Sequence, residues 1–136
     1  DLYVPLVPEA KMEFTYEQAK NIVTSGLIPL GETYNQDLKA GFEAGWIDVY
    51  ETQGKGSGAY SWGAYSTHPY VLLNYNNTLE DVFTIAHEMG HAMNSFYTNR
   101  KQPYIYSDYA TFVAEVASVT NEVLLMNELL EQTTDP

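Results

Sequence analysis

The run His87-Glu88-Met89-Gly90-His91 carries the strongest chemical signal in the sequence. On an α-helix, positions four apart lie one above the other. Two imidazoles so placed can each give a nitrogen to one Zn²⁺ at ~2.0–2.1 Å. Glu88, one residue further round the helix, then lies beside the open coordination position, where a carboxylate can take a proton from water. Two of the chain's 3 histidines fall inside this run. Buried without a metal, two unpaired imidazoles and a carboxylate would be expensive. One zinc ion per chain is therefore expected.

A catalytic zinc normally takes three protein ligands and keeps one position open. The chain has no cysteine. Its remaining histidine, His68, sits between Thr67 and Pro69 in a loop and reads as a surface residue. An acid should complete the set. Asp108, Glu115 and Glu122 lie seven residues apart, so on one helix they share a stripe that drifts only ~20° per step. That stripe runs between Phe112, Val116 and Val119, where solvated carboxylates are out of place; the plainer alternative is a polar seam at the helix edge. Glu115 is the best third ligand, because Ala114, Ala117 and Ser118 around it let its helix approach a partner closely. Gly90 argues the same from the other side, since a helix-interior glycine costs ~1 kcal/mol against alanine and tight packing would explain it. Glu122 could accept a hydrogen bond from the second nitrogen of a ligand imidazole. Asp108 could do so instead; spacing alone does not separate them.

These residues need two helices to position them. Thr78 with Asp81 caps the first, and Val82, Ile85, Ala86, Met89, Met93 and Phe96 keep helical spacing until Asn99 to Pro103 breaks it. Ser107 can cap the second, from about Asp108 to Glu131, with Phe112, Val113, Val116, Val119, Val123, Met126 and Leu130 as its apolar face. A loop of roughly ten residues joins them, so they should pack antiparallel. Upstream, the chain to Met12 reads as extended. Thr15 with Gln18 signals a helix to about Ser25, and Glu32 to Ala44 a second one bearing Tyr34, Leu38 and Phe42 on one side. Trp46–Tyr50 and Tyr70–Tyr75 have strand character and flank a glycine-rich turn, so an antiparallel ribbon is expected between them. The expected fold is mainly α with a small β-ribbon.

Composition narrows the function classes. A chain of 136 residues, 45% of them hydrophobic, fits one globular domain or part of one. With 18 acidic residues against 6 Lys and Arg, the net charge of -12 repels nucleic acid and anionic membrane. No apolar run reaches the ~18 residues that a membrane-spanning helix needs. The lack of cysteine excludes disulfides, cysteine-ligated zinc and thiol nucleophiles. A first residue of Asp1, with neither initiator Met nor signal-like stretch, suggests a chain cut from something larger.

His87-Glu88-Met89-Gly90-His91, followed by Phe112-Val113-Ala114-Glu115-Val116-Ala117-Ser118 and then Asn121-Glu122, resembles the oligoendopeptidase F family of thimet-oligopeptidase-like zinc peptidases. Asp1-Leu2-Tyr3-Val4-Pro5-Leu6, Pro29-Leu30-Gly31-Glu32 and Lys55-Gly56-Ser57-Gly58-Ala59-Tyr60-Ser61 agree, so the likeness covers essentially the whole chain. The resemblance implies a zincin-like catalytic core with two antiparallel zinc-bearing helices. It implies His87, His91 and Glu115 as zinc ligands and Glu88 as general base. Gly58, Ala59 and Tyr60 would lie along the substrate cleft, where backbone groups pair with an extended peptide as an added strand. Without the resemblance, those glycines read as a hairpin tip. The implied substrates are oligopeptides, cut internally, in the cytoplasm.

Two departures stand out. Family members often carry another His three positions after the second zinc His, and here that residue is Asn94. Family enzymes are also several times longer and draw a His and tyrosines, which stabilise the tetrahedral intermediate, from a segment beyond the zinc helices. Residues 1–136 are therefore expected to be part of a single catalytic domain, truncated at both ends. The alternative function is a catalytically impaired zinc- and peptide-binding fragment. Apolar surface normally covered by the rest of the enzyme should favour self-association.

Overall fold

The computed structural model describes residues 12–133, so the segment expected to be extended, Asp1 to Met12, lies outside the described residues except for Met12. Helix α1 spans Tyr16–Gly26 and α2 spans Glu32–Glu43; three short strands follow, β1 at Ile47–Asp48, β2 at Tyr60–Trp62 and β3 at Tyr70–Leu72. Helices α3, Leu79–Lys101, and α4, Thr111–Gln132, complete the chain. The mainly α architecture with a small sheet is as expected. Both capping boxes form: the Thr15 and Thr78 hydroxyls accept from the Gln18 and Asp81 backbones, and those side chains reach back to the cap nitrogens. Each cap satisfies amide donors that a helix start otherwise leaves free.

The core gathers on α3. Val82, Ile85, Ala86, Met89 and Met93 are buried there against Ala19, Val23 and Leu27 near α1, Leu38 of α2, and Val71 and Leu73 at the sheet. Burying side chains of this size stabilises by roughly 1.5–3 kcal/mol each, so α3 is held as a rigid central rod. It is the element that carries the histidines.

The sheet departs from expectation. Its order is β1-β3-β2, with β1 parallel to β3 (Ile47 opposite Val71) and β2 antiparallel to β3 (Ser61 opposite Val71). The Trp46–Tyr50 and Tyr70–Tyr75 stretches are thus parallel neighbours, not an antiparallel ribbon. The long intervening segment supplies the crossover that a parallel pair requires. The antiparallel partner is β2, too short to show alternation in the sequence.

Helix α4 corrects two expectations. It starts at Thr111 behind Ala110, without a side-chain cap. The Ser107 hydroxyl instead donates to the Tyr104 carbonyl at 2.8 Å, closing a 3-10 turn over Tyr104–Tyr106. Asp108 therefore precedes the helix and is off the Glu115–Glu122 stripe. The apolar residues do not face α3 either: Phe112, Val113, Val116, Val119, Val123, Met126 and Leu130 are all exposed, Phe112 at 78%. The buried face is Ser118, Asn121 and Leu125. A helix this apolar shows two candidate faces, and the small and polar one fits the close approach to α3. A Cβ on Gly90 would come within 2.6 Å of the Ser118 Cα. Contacts pairing Ala86 with Asn121, Gly90 with Ser118 and Ser95 with Tyr109 establish the antiparallel packing that was expected.

Candidate metal centre

His87 and His91 project from α3 towards α4, one turn apart. Their Nε2 atoms are 3.1 Å from each other. The Glu115 carboxylate of α4 brings Oε2 to 3.6 Å from the His87 Nε2 and 3.8 Å from the His91 Nε2. Four tetrahedral arms of ~2.0–2.1 Å put donor atoms about 3.3–3.4 Å apart. The three observed separations bracket that spacing. These donors fit a zinc ion.

The surrounding hydrogen bonds set the donor chemistry. The Glu122 carboxylate accepts from the His87 Nδ1, which fixes the proton on that nitrogen and leaves Nε2 its lone pair. The Ala114 backbone carbonyl accepts a hydrogen bond from the His91 ring. The Ser118 hydroxyl donates to the Glu115 Oε2 at 3.0 Å, steadying a carboxylate that is half exposed. Burial lowers the His91 pKa, the His87 charge lowers it further, and Glu115, the Ala114 bond and Glu122 oppose. A ring that resists protonation keeps its nitrogen available as a ligand.

Glu88 is buried at 7% exposure, and its Oε2 has no hydrogen-bond partner among the described residues. Burial raises its pKa first of all; the His87 charge lowers it and Glu115 raises it. A carboxylate that desolvated is a stronger base than one in water. With His87, Glu122 and Thr84, it lines a cavity of about 280 Å³. The structure thus brings His87, Glu88, His91, Glu115 and Glu122 together.

It does not bring in Asp108 or His68. Asp108 is exposed and lines a separate cavity with Ser95 and Tyr109, so the choice between two acids for the imidazole falls to Glu122. His68 is half-buried rather than superficial: its ring stacks on Trp46 at 6.0 Å between centroids, and its Nδ1 lies 2.7 Å from the Pro69 carbonyl.

Gly58, Ala59 and Tyr60 lie where β2 passes α3. Gly58 and Ala59 line a cavity of about 280 Å³ with Thr84, which also borders the Glu88 cavity. At the other end of β2, a Cβ on Gly63 would come within 2.6 Å of the Ser95 Cβ. The strand therefore runs alongside α3 past the level of Glu88 and His91. Only β3 pairs with it in the described sheet, so its other edge is open. Asn74 holds the approach to this edge by donating to the Gly56 and Gly58 carbonyls at 2.9 and 2.8 Å.

Two contributors escaped sequence reasoning. Asn121, 1% exposed, donates to the Ala86 carbonyl at 3.0 Å and accepts from the Tyr34 hydroxyl at 3.2 Å. It ties α4 to α2 and to the residue preceding His87. The other is the Ser118 hydroxyl, whose bond to Glu115 is not implied by its small size or its place in the resembling run. The available signal was the stripe Ala114, Ala117, Ser118, Asn121 and Leu125, which keeps helical spacing opposite the apolar face.

Comparison with known proteins now decides the family. The sequence profile of peptidase family M3 matches residues 1–136. The chain belongs to peptidase family M3. Oligopeptidase PepF of Bacillus subtilis is 54% identical over 135 residues, which cover 99% of this chain and 20% of that protein. The chromosomal oligoendopeptidase F of Lactococcus lactis subsp. cremoris is 46% identical over 99% of this chain and 22% of its own length. A crystal structure from Chlamydophila abortus superposes with a TM-score of 0.91 at 45% identity, covering 98% of this chain and 22% of that one. The chain thus spans about a fifth of the length of the M3 relatives it matches. Among its described residues no helix is long and apolar enough to cross a membrane.

Proposed function

We propose that this chain carries the zinc-binding and proton-transfer residues of an endopeptidase that hydrolyses internal bonds of oligopeptides, within a single catalytic domain. One observation carries the proposal: two imidazole nitrogens and the Glu115 carboxylate converge beside the buried, unpartnered Glu88 oxygen. His87, His91 and Glu115 would hold one Zn²⁺, with Glu122 orienting His87. Zinc in such a site supplies Lewis acidity to a peptide carbonyl and to water.

Glu88 removes the proton of the attacking water and delivers it to the leaving amine. Burial raises its pKa, which makes it a stronger base than a solvated carboxylate. The open edge of β2 aligns the peptide as an added strand, with Gly58, Ala59 and Tyr60 at its start. The relatives named oligopeptidase and oligoendopeptidase support oligopeptides as the substrate class. A cytoplasmic location belongs to the same reading and rests on the resemblance alone.

The test is Glu88→Gln, assayed in this chain and in a polypeptide of the relatives' length that carries it. Zinc should stay bound while hydrolysis in the longer polypeptide falls at least ~10²-fold, the lower range for a general base. Unchanged hydrolysis contradicts the assignment. The second reading is that these 136 residues on their own bind zinc and peptide with impaired turnover; they span about a fifth of the relatives' length. It predicts zinc and peptide binding by this chain with little hydrolysis. Full activity of this chain alone contradicts it.

A further inference from the structure

Beyond the metal centre, the wall of β2 continues into a cavity of about 830 Å³ at the C-terminal half of α3. Ser61 and Trp62 of β2, Ser95 of α3, and Tyr104, Asp108 and Tyr109 of the connector line it. The walls are held in place before any ligand arrives. Tyr109 and Ser95 share a hydrogen bond of 2.5 Å between hydroxyls. Tyr65 packs edge-on against Tyr104 at 5.4 Å and donates to the Gln102 carbonyl at 2.8 Å. Ser61 also borders this cavity, and its buried hydroxyl has no partner among the described residues.

Two features define what would fit. Asp108 is the one charged residue in the lining, and it makes no ion pair among the described residues. Trp62 and Tyr104 present large exposed rings, 66% and 72% accessible. Exposed aromatic rings and a carboxylate lining one cavity favour a cation on an aliphatic stem. Ser95 lies four residues beyond His91 and Asn99, also in the lining, eight. At 1.5 Å per helical residue that is about 6–12 Å, or two to four residues of extended peptide.

We propose that this cavity is a side-chain subsite for lysine or arginine, two to four residues from the bond at the metal, with Asp108 as its counter-charge. It rests on the peptidase reading for the path of the peptide along β2. The cavity and its charge stand without that reading.

The test is fluorescence titration of Trp62 with alanine-based pentapeptides carrying one Lys, one norleucine or one Glu, using the 136-residue chain. Trp62→Phe identifies the signal against the buried Trp46. The Lys peptide should bind about tenfold more tightly than the Glu peptide, the range of an exposed ion pair with a ring contact. Asp108→Asn should reduce that preference to about twofold and Asp108→Lys should invert it, while Glu43→Gln, remote on α2, leaves it unchanged. Equal binding of all three peptides, no binding, or a preference that survives Asp108→Asn overturns the subsite. Zinc measured on the same samples separates the two readings. Bound zinc without a Lys preference overturns only the subsite, and a Lys preference without zinc overturns only the metal-dependent peptidase.

Discussion

The Glu122 carboxylate accepts a hydrogen bond from the Nδ1 of His87 across the α3–α4 interface, 35 residues along the chain. The bond does two things at once. It locks the imidazole tautomer, and it couples the candidate metal centre to the register of two helices. Partners of this kind typically change metal affinity 10–100-fold when removed. Glu122→Gln should therefore weaken zinc binding by about that factor in a chelator competition, with the fold retained by circular dichroism. Unchanged affinity would show that the contact does not orient the ligand.

Gly90 tests the close approach directly. Alanine would favour the helix by ~1 kcal/mol on propensity alone. Its methyl, however, would meet the Ser118 Cα at 2.6 Å and the Ala117 carbonyl at 2.9 Å, both backbone atoms that cannot rotate away. Overpacking of this kind costs about 1–3 kcal/mol. Gly90→Ala should lower stability by up to about 2 kcal/mol net in urea denaturation and weaken zinc binding, because α4 must move outward with Glu115 on it. A stabilised variant would show that the helices do not touch there.

Burial pushes the Tyr34 phenol up to about 12, against a small opposing effect of its bond to Asn121. Burial also raises Tyr97 to about 12, with Asp37 adding to the shift. The fold therefore favours the neutral ring. Its stability is intact below the ordinary tyrosine value near 10 and is lost as pH rises through about 12. For Tyr34 alone the loss is about 2–3 kcal/mol. Urea midpoints should hold steady from pH 8 to 10 and fall above it, and Tyr34→Phe should flatten that fall.

The exposed face of α4 carries Phe112, Val116, Val119 and Val123 around an apolar groove of about 470 Å³. Contiguous apolar patches drive association. Sedimentation of the isolated chain should show reversible oligomers at high concentration. Phe112→Glu with Val119→Glu should weaken them at least about tenfold, since each side chain contributes roughly 1.5–3 kcal/mol when covered. A monomer at every concentration would contradict this.

The helices and the candidate cluster of His87, His91 and Glu115 were legible because both follow from helical spacing. Thr15, Thr78 and the apolar series through Met93 announce their helices, and His87 and His91 need only one turn of helix to meet. Glu115 was legible through its small neighbours, which report how near another backbone must come. What eluded the sequence was non-local. Periodicity shows that Phe112 and Val116 share a face, yet it does not say which face of α4 meets α3. Nor could the seven-residue interval to Asp108 reveal that the Tyr104–Tyr106 turn uses Ser107 and delays the helix to Thr111. Strand direction failed for the same reason: β2 is three residues long, and its antiparallel pairing with β3 is a contact between segments distant in sequence.

Zinc K-edge X-ray absorption on the zinc-loaded chain, with metal content measured on the same sample, tests the centre most directly. The predicted result is one zinc per chain with two imidazole nitrogens and carboxylate oxygen at ~2.0–2.1 Å, and loss of the oxygen contribution and of tight binding in Glu115→Ala. Zinc held by a single imidazole, or spectra and affinity unaltered by Glu115→Ala, would contradict the convergence of α3 and α4 on one ion.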